Sequence, residues 1–340
     1  MAETGLTLNI VKPVAAMPRG PAVFAIVKDE NYLLPFFFDH YRALGVEVFL
    51  IYDDRSGPAT VNYLMRQPDC AILRSDSTFG DTFGEDEFGI PRRLPHVLKE
   101  GVPDSFLPSR WVLTVDADEF LILPSGCSGI PEFITSLEKV GQVYAMAPMI
   151  DFYGETLDHR NYPRDLSPFT GNPYFDVGPY YYWTGARWPF RLGGGIRLRL
   201  LRMLCERRPD RVAEVYGTPM PPLGKCWKAP LLKHGAGVLR RGDHEVSVAP
   251  RATDLSAALA HFKFYPDLDA KIANALREKQ YYAGSVEYSF LKASIDLFGR
   301  ESLLGPEARR FEGPESLERA GLLGPAVVSA QDAPARVEAG

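Results

Sequence analysis

The segment AVFAIVKDENYLLPFFFDHYRALGVEVFLIYDD, residues 22–54, decides the fold. It opens with a short apolar run at 22–27 and closes on a second at 46–52, and both have the length and composition of buried strands. Between them, large apolar residues recur at helical spacing, and Gly45 is placed to end the helix. A strand, a helix and a strand at this spacing predict two parallel strands joined by a right-handed crossover.

The same alternation continues along the chain to about residue 150. The pattern predicts, in order, a helix around 59–66, a strand at 70–74, a helix around 91–99, a strand at 111–116, a helix near 130–140 and a strand at QVYAMAPM, 142–149. Beyond 150 it predicts strands at IRLRLLRML and ALAHFKFY and helices at 267–281 and 287–298. The predicted fold class is therefore α/β, with an open sheet built over residues 20–150.

Composition excludes several classes of protein. The chain has 340 residues, 46% of them hydrophobic, and a net charge of -5, which gives no basis for binding nucleic acid or an anionic membrane. No apolar run is long enough to span a membrane, and the N-terminus does not read as a secretory signal. The four cysteines form no CxxC pair, so we expect reduced thiols in a cytoplasmic protein.

Three polar clusters follow predicted strands. They are Lys28-Asp29-Glu30, Asp53-Asp54 and Asp116-Ala117-Asp118, the last followed at once by Glu119. Ligands of open α/β sheets bind beyond the carboxyl ends of the strands, so we expect the three clusters to converge on one edge. Two carboxylates at a strand end suit Mg²⁺ or Mn²⁺, and such an ion suits a diphosphate. The competing interpretation is ordinary turn and capping chemistry.

The sequence motifs of several other kinds of active or binding site are missing. The chain lacks the P-loop, dinucleotide-binding, HExxH and GxSxG motifs. Among the histidines, His244 and His261 are candidate ligands, although a lone histidine in an apolar strand is more often a satisfied core residue. Arg197 and Arg199 are expected on one face of a strand, where they would meet phosphate or carboxylate.

Two segments carry a resemblance to a known family: IVKDENYLLPFFFDHYRALGVEVFLIYDDRSG and RWVLTVDADEFLIL. Together they resemble the N-terminal half of a GT-A glycosyltransferase, and the nearest match is the bacterial family-2-like group, which is also similar to GT92. Weaker similarity lies in GGGIRLRLL, CWKAPLLKH, GDHEV and the segment that begins AHFKFYPDLDAKIANALREKQYY. The resemblance covers about 22–298.

The resemblance implies a GT-A, Rossmann-like, open mixed sheet flanked by helices, with a C-terminal acceptor-side region. Residues 20–150 would form the nucleotide-sugar-binding half and 151–300 the acceptor-side half of the same domain, followed by a partly loose extension at 301–340. It also implies a nucleotide-sugar donor, a bound Mn²⁺ or Mg²⁺, and transfer of the sugar to a glycan, lipid-linked or protein acceptor.

The resemblance also implies roles for individual residues. The nucleoside would contact Lys28, Glu30 and Asp53, while diphosphate and metal would be held by Asp116 and Asp118. A histidine often completes such a metal shell, and the expected one is His261, then His244. The donor phosphates or an acidic acceptor would meet Arg197. Relatives often read D-N-x-S-x-D-G-T from the position of Asp53, whereas this chain has Asp54 and then SGPAT. This departure bears on the details of nucleoside binding and on the identity of the base.

An inverting transferase needs a group that accepts the proton of the acceptor hydroxyl. Asp151, expected just after a strand, is the predicted base, with Glu119 and Asp176 as rivals. The aromatic cluster YYYWTGARWPF, 180–190, is expected either to stack against sugar rings or to pin its own loop to the core.

Two alternatives to a glycosyltransferase stay open. A sugar nucleotidyltransferase also places carboxylates and metal at the edge of an α/β sheet, but it usually has a glycine-rich loop where this chain reads KDENYLLP. A glycan-binding protein on the same fold would have lost turnover, and intact Asp116 and Asp118 argue against that reading without excluding it.

Overall fold

The computed structural model describes most of the chain: residues 5–14, 18–86, 89, 91–160, 162–183, 191–217, 225–248, 254 and 256–324. Two predicted features lie wholly or mostly outside these residues. They are the aromatic cluster at 180–190, of which 184–190 are not described, and the loose tail at 325–340. No helix within the described ranges has the length and apolar character needed to cross a membrane.

The described residues form seventeen strands and ten helices. The strands are β1 Asn9–Lys12, β2 Ala22–Val27, β3 Val48–Asp53, β4 Cys70–Arg74, β5 Thr82–Glu85, β6 Pro91–Arg93, β7 Trp111–Thr114, β8 Glu119–Ile122, β9 Tyr144–Phe152, β10 Tyr174–Asp176, β11 Tyr180–Trp183, β12 Arg191–Gly194, β13 Trp227–Lys233, β14 Arg240–Arg241, β15 Glu245–Val246, β16 Ala258–Phe262 and β17 Ala308–Arg310. The helices are α1 Leu33–Ala43, α2 Pro58–Met65, α3 Leu94–Phe106, α4 Ile130–Lys139, α5 Pro168–Gly171, α6 Gly195–Arg207, α7 Pro209–Tyr216, α8 Leu268–Glu278, α9 Tyr282–Phe298 and α10 Pro314–Arg319.

One large mixed sheet organises the molecule. Its nine strands lie in the order β1-β4-β3-β2-β7-β13-β9-β16-β8. The neighbours β4, β3, β2 and β7 are parallel, whereas β13 runs antiparallel to both β7 and β9. The prediction of an α/β fold with an open mixed sheet flanked by helices is confirmed. Strands from beyond residue 151 lie inside the sheet, between strands from the first half.

The parallel strands are buried on both faces, which explains their continuous apolar runs. Along β2, Val23 and Ala25 pack in the same core as α1 and α4, while Ala22 and Phe24 face the core that contains α3. The predicted strand–helix–strand unit is confirmed: β2 and β3 are parallel, in register from Ala22↔Val48 to Val27↔Asp53. A separate core of apolar side chains joins α6, α7, α8 and α9.

The strand predicted at IRLRLLRML is wrong, because this segment begins helix α6. Alternating apolar and arginine residues matched a period of two, but leucine and arginine are good helix formers. Ile196, Leu200 and Leu204 are spaced four residues apart and are buried together in the core of the C-terminal helices. Arg197 and Arg199 therefore project from a helix and not from one face of a strand.

Several element boundaries also differ from prediction, among them three that carry charged residues discussed below. The strand expected at 111–116 ends at Thr114, and a second strand starts at Glu119, so Asp116 and Asp118 lie in the turn between them. Strand β9 continues to Phe152, which places Asp151 inside the strand. The helix expected at 91–99 begins at Leu94 and runs to 106.

Part of the C-terminal extension packs against the main body. Strand β17 pairs antiparallel with β10, and Leu317 of α10 is fully buried in the main core. Leu322 and Leu323 follow it into the same core. Residues 301–324 thus add apolar side chains to the main core.

Candidate functional site

The sheet topology brings the three predicted polar clusters to one edge. Strands β3, β2 and β7 are adjacent and parallel, so all three end on the same side. Residues 28–30 directly follow β2, Asp53 ends β3 and Asp54 follows it, and residues 116–118 lie one residue beyond β7. The expected convergence therefore follows from the strand order, and the edge carries a high density of buried charge.

The turn after β7 is organised by its own carboxylates. The Asp116 amide donates to Glu119 Oε2 at 2.9 Å, and the Glu119 amide donates to the Asp116 carbonyl at 3.0 Å. The Asp116 carboxylate is 2.8 Å from Lys99 Nζ and 2.6 Å from Lys228 Nζ. Burial alone would raise the pKa of Asp116, but the charges of Lys228 and Lys99 outweigh it and hold that pKa well below its usual range.

Lys228 also binds the other acid of this turn, Glu119. Its Nζ is 2.5 Å from Glu119 Oε1, and both side chains are almost completely buried, at 3% and 1% exposure. Both oxygens of Glu119 are therefore engaged, one by Lys228 and one by the Asp116 amide. These contacts give Glu119, a rival for the role of base, a structural role in holding the turn.

His261 lies between carboxylates on both sides. In the sheet it is in register with Asp151 of β9 and with Glu119 of β8. Its Nδ1 is 2.5 Å from Asp151 Oδ1, and its Nε2 is 3.5 Å from Asp118 Oδ2. Burial and the charge of Lys263 lower the pKa of His261, but Asp118 and Asp151 outweigh them, so the net shift is upward.

The donor set fits a divalent cation. Ligand atoms of Asp118, Glu119 and His261 lie within 4.8 Å of one another. Carboxylate oxygen with one imidazole nitrogen suits Mn²⁺ and tolerates Mg²⁺. Asp151 holds Nδ1 of His261 and directs Nε2 toward Asp118, as the outer carboxylate of a metal-binding histidine does. Since Glu119 is already engaged, Asp118 and His261 are the members best placed to bind metal.

Asp151, predicted as the catalytic base, has both oxygens engaged. Oδ1 meets His261, and Oδ2 is 2.5 Å from Arg197 Nε of α6. Burial would raise the pKa of Asp151, but Arg197 and His261 lower it to about 2. Arg197 Nη1 in turn lies 3.3 Å from Glu287 Oε1, and the Glu287 side chain is 43% exposed.

Asp176, another rival for the base, is enclosed in a separate cluster. Its Oδ1 accepts a hydrogen bond of 2.5 Å from the Tyr153 hydroxyl, and Arg199 binds both of its oxygens. Burial raises the pKa of Asp176, and the bonds from Tyr153 and Arg199 only partly offset this. This cluster joins β9, β10 and α6, and it gives Arg199 a role different from that of Arg197.

The residues predicted to contact a nucleoside are paired across the edge. Lys28 Nζ is 2.7 Å from Glu278 of α8, and Glu30 forms an ion pair with Lys271 of the same helix. Burial raises the pKa of Glu30, and the charge of Lys271 offsets this only in part. These pairs bring α8 over the ends of the first strands.

The two acids at the end of β3, Asp53 and Asp54, have different surroundings. Asp53 is 2.5 Å from Arg74 and accepts a hydrogen bond of 3.1 Å from the Ser56 amide. Asp54 is equally buried, but its Oδ2 has no hydrogen-bond partner among the described residues. Burial raises the pKa of Asp54 despite the nearby charge of Lys28. Asp54 is thus a buried acid beside the strand end.

His244, the second predicted metal ligand, lies elsewhere in the network. It sits in the turn between β14 and β15, and its Nδ1 is 2.7 Å from the Trp227 carbonyl. Burial, with the charge of Lys228, lowers the pKa of His244 to about 3. Within the described ranges it does not belong to the group formed by Asp118, Glu119 and His261.

Charged residues that complete the network had not been predicted, among them Lys99, Lys228, Lys263, Lys271 and Glu287. A signal for two of them was present, because Lys228 and Lys263 interrupt apolar strand runs in WKAPLL and HFKFY. Unpaired charge is rare inside strands, so each lysine pointed to a buried acid elsewhere. The others are helical residues, whose partners are visible only in the folded chain.

Comparisons with known proteins do not assign the chain to a family. No family model matches it, and no curated protein matches it. Among solved structures, it is similar to a UDP-glucose pyrophosphorylase in complex with UDP-glucose, at 11% identity and a TM-score of 0.27. That alignment covers 55% of this chain and 80% of the pyrophosphorylase. A similarity at this level establishes neither a common function nor a common substrate.

Proposed function

We propose that this protein is a metal-dependent glycosyltransferase that takes a sugar from a nucleotide-sugar donor and transfers it to a hydroxyl-bearing acceptor. The observation that carries the proposal is the group of Asp118 and His261, with Asp151 behind the histidine, at the edge where parallel strands end. Such an edge is where α/β sheets bind nucleotides.

In this proposal Asp118 and His261 hold Mn²⁺ or Mg²⁺, whose charge offsets the negative charge that develops on the departing diphosphate. Asp116 keeps the turn in place through Lys99 and Lys228 and faces the donor with the 37% of its side chain that is exposed. Arg197 serves the phosphates or an acidic acceptor from the far side of Asp151.

The nucleoside of the donor lies, in this proposal, over Lys28, Glu30 and Asp53. Their side chains follow the ends of β2 and β3, beside the turn that carries Asp118. Asp54 adds a buried carboxyl oxygen without a partner in the described structure, next to Lys28, and so contributes to the choice of base.

The role of Asp151 as general base stays a prediction. A base has to accept a proton from the acceptor hydroxyl, and both oxygens of Asp151 are already bound by His261 and Arg197. These contacts favour an orienting role, in which Asp151 fixes the ring of His261 through Nδ1.

The proposal is tested by thermal unfolding of the wild type and Asp118→Asn against UDP, GDP, dTDP and CMP, each with Mn²⁺ or with EDTA. A bound ligand stabilises the fold by about 2.7 kcal/mol at a hundredfold excess over its dissociation constant. We expect one nucleotide to raise the unfolding temperature in a Mn²⁺-dependent way, and the variant to lose that dependence. Asp296→Asn, which alters a surface ion pair with Lys292, is the control.

A wild type that responds to none of these nucleotides contradicts the donor site. Release of a nucleoside diphosphate from a nucleotide sugar supports transfer. Release of pyrophosphate from a nucleoside triphosphate and a sugar phosphate would instead establish the nucleotidyltransferase alternative.

A further inference from the structure

Two lysines reach from the C-terminal half of the chain to the acids at the strand ends. Lys263, which directly follows β16, lies with its Nζ 3.1 Å from Asp118 Oδ2. Lys271, on α8, forms an ion pair with Glu30. The four side chains form one electrostatic unit, since Asp118 and Glu30 each act on both lysines. We call these four residues the lysine–acid quartet.

The quartet differs from the other buried lysines in its access to solvent. The side chains of Lys99 and Lys228 are 5% and 3% exposed; both bind Asp116 in the turn after β7, and Lys99 also lies 3.1 Å from Asp243. Those of Lys263 and Lys271 are 17% and 20% exposed, while their acid partners remain at 8% and 9%. The part of the Lys263 and Lys271 side chains that solvent reaches is therefore also open to a ligand arriving at this edge.

A divalent ion on Asp118 changes the electrostatics of the quartet. The quartet alone is neutral, with two acids and two lysines, and Glu287 Oε1 lies 3.9 Å from Lys263 Nζ. This one further carboxylate does not offset two more positive charges beside Lys263. Like charges a few ångströms apart in a partly buried site repel strongly, so an anion has to enter with the ion. A diphosphate supplies that anion, and a lysine side chain is flexible enough to move from a carboxylate to a phosphate.

We propose that Lys263 and Lys271 bind the diphosphate of the donor, exchanging Asp118 and Glu30 for phosphate oxygens. This inference rests on the proposed function and adds to it two cationic ligands of the leaving group. The side chain of Lys271 is steered by the ring of Tyr265, over which its Nζ lies at 5.7 Å from the centroid. The sugar and the base are recognised by other residues.

The test is isothermal titration of Lys263→Met, Lys271→Met and the double variant with inorganic pyrophosphate and with the nucleoside diphosphate that binds the wild type. Titrations are run in Mn²⁺ and in EDTA. We expect each substitution to weaken diphosphate binding roughly tenfold to hundredfold, as removal of a hydrogen bond between charged groups does. Binding of the matching nucleoside without phosphate should not change. In EDTA the wild type should bind pyrophosphate much more weakly than in Mn²⁺, because without the ion both lysines stay paired with their acids.

Matched variants control for folding and for charge. Lys292→Met removes a surface lysine paired with Asp296 and should bind like the wild type. Lys263→Arg and Lys271→Arg keep the positive charge and should recover part of the affinity. If Lys271→Met unfolds because Glu30 is left unpaired, Lys271→Met combined with Glu30→Gln removes both charges and is titrated in its place with pyrophosphate alone, which has no nucleoside to contact Glu30.

The outcomes separate this inference from the proposed function. Unchanged diphosphate binding in both single variants and in the double variant overturns the inference and leaves the transferase proposal standing. Lysine-dependent binding of pyrophosphate, without binding of any nucleoside diphosphate, supports the inference and contradicts the donor site. A wild type that binds neither probe overturns both.

Discussion

Charged residues occupy different positions in the two halves of the central sheet. In β4, β3 and β2 the strand interiors are apolar, and acids such as Asp53 come only where a strand ends. In β13, β9, β16 and β8 the charged groups stand within the strands, at Lys228, Asp151, His261 and Glu119. All four are buried.

The difference shows which strands contribute less to the stability of the fold. Buried ion pairs contribute little net stability compared with apolar residues of the same size. A sheet that accepts four buried charged groups, three of them in register on β9, β16 and β8, is organised for a site. In our proposal the apolar strands supply the stable platform, and the charged strands carry the chemistry. Three predictions test this division.

The largest effect is expected from Lys228→Met. The substitution leaves Asp116 and Glu119 without their shared cation in a buried turn, which should cost about 3 to 5 kcal/mol in the free energy of unfolding. Urea unfolding at pH 7 measures the loss. Lys292→Met, in a pair that is 54% and 43% exposed, is the control and should change the free energy by less than about 1 kcal/mol. Equal stability of the two variants would contradict the pairing described for the turn.

A smaller effect, and one on binding, is expected from Asp151→Asn. Loss of the outer carboxylate should weaken Mn²⁺-dependent nucleotide binding about tenfold to hundredfold, because His261 loses its orientation. Titration calorimetry measures it. Asp176→Asn is the matched control, since that acid is as deeply buried but binds Tyr153 and Arg199. If Asp151→Asn keeps full metal and nucleotide affinity but loses turnover, Asp151 is the base and not an orienting residue.

The smallest effect is expected from a group that links α1 to β8. Burial lowers the pKa of His40 to about 4, although its Nε2 is 2.8 Å from the Leu121 carbonyl. The unfolded chain therefore binds a proton that the folded chain does not between about pH 6.5 and pH 4, and stability falls as the pH falls through that range. From pH 7 to pH 5 the loss is about 1 to 2 kcal/mol for this residue.

Urea unfolding of the wild type and His40→Gln at both pH values measures this dependence. The variant should lose less stability on acidification than the wild type. Parallel losses in the two proteins would show that His40 is protonated as readily in the folded chain as in the unfolded one.

Much of the first half of the chain was determined by local sequence. Strands β2 and β4 begin and end where the apolar runs 22–27 and 70–74 predict, because buried parallel strands need continuous apolar residues. The convergence of three polar clusters also followed, since parallel neighbours end on one side of a sheet. Asp118 and His261 were expected at a metal site, and the fold places them side by side.

The partners of those residues were decided by tertiary structure alone. No local pattern places Lys228 between Asp116 and Glu119, or Lys271 on Glu30, because these contacts join segments more than a hundred residues apart. The local pattern also gave a wrong prediction at α6. Alternating arginines there are typical of a strand, but the apolar residues of the segment are buried together on one side of a helix. Periodicity reports which face of an element is apolar. Charge pairing in the interior depends on which strands become neighbours, and only the folded sheet determines that.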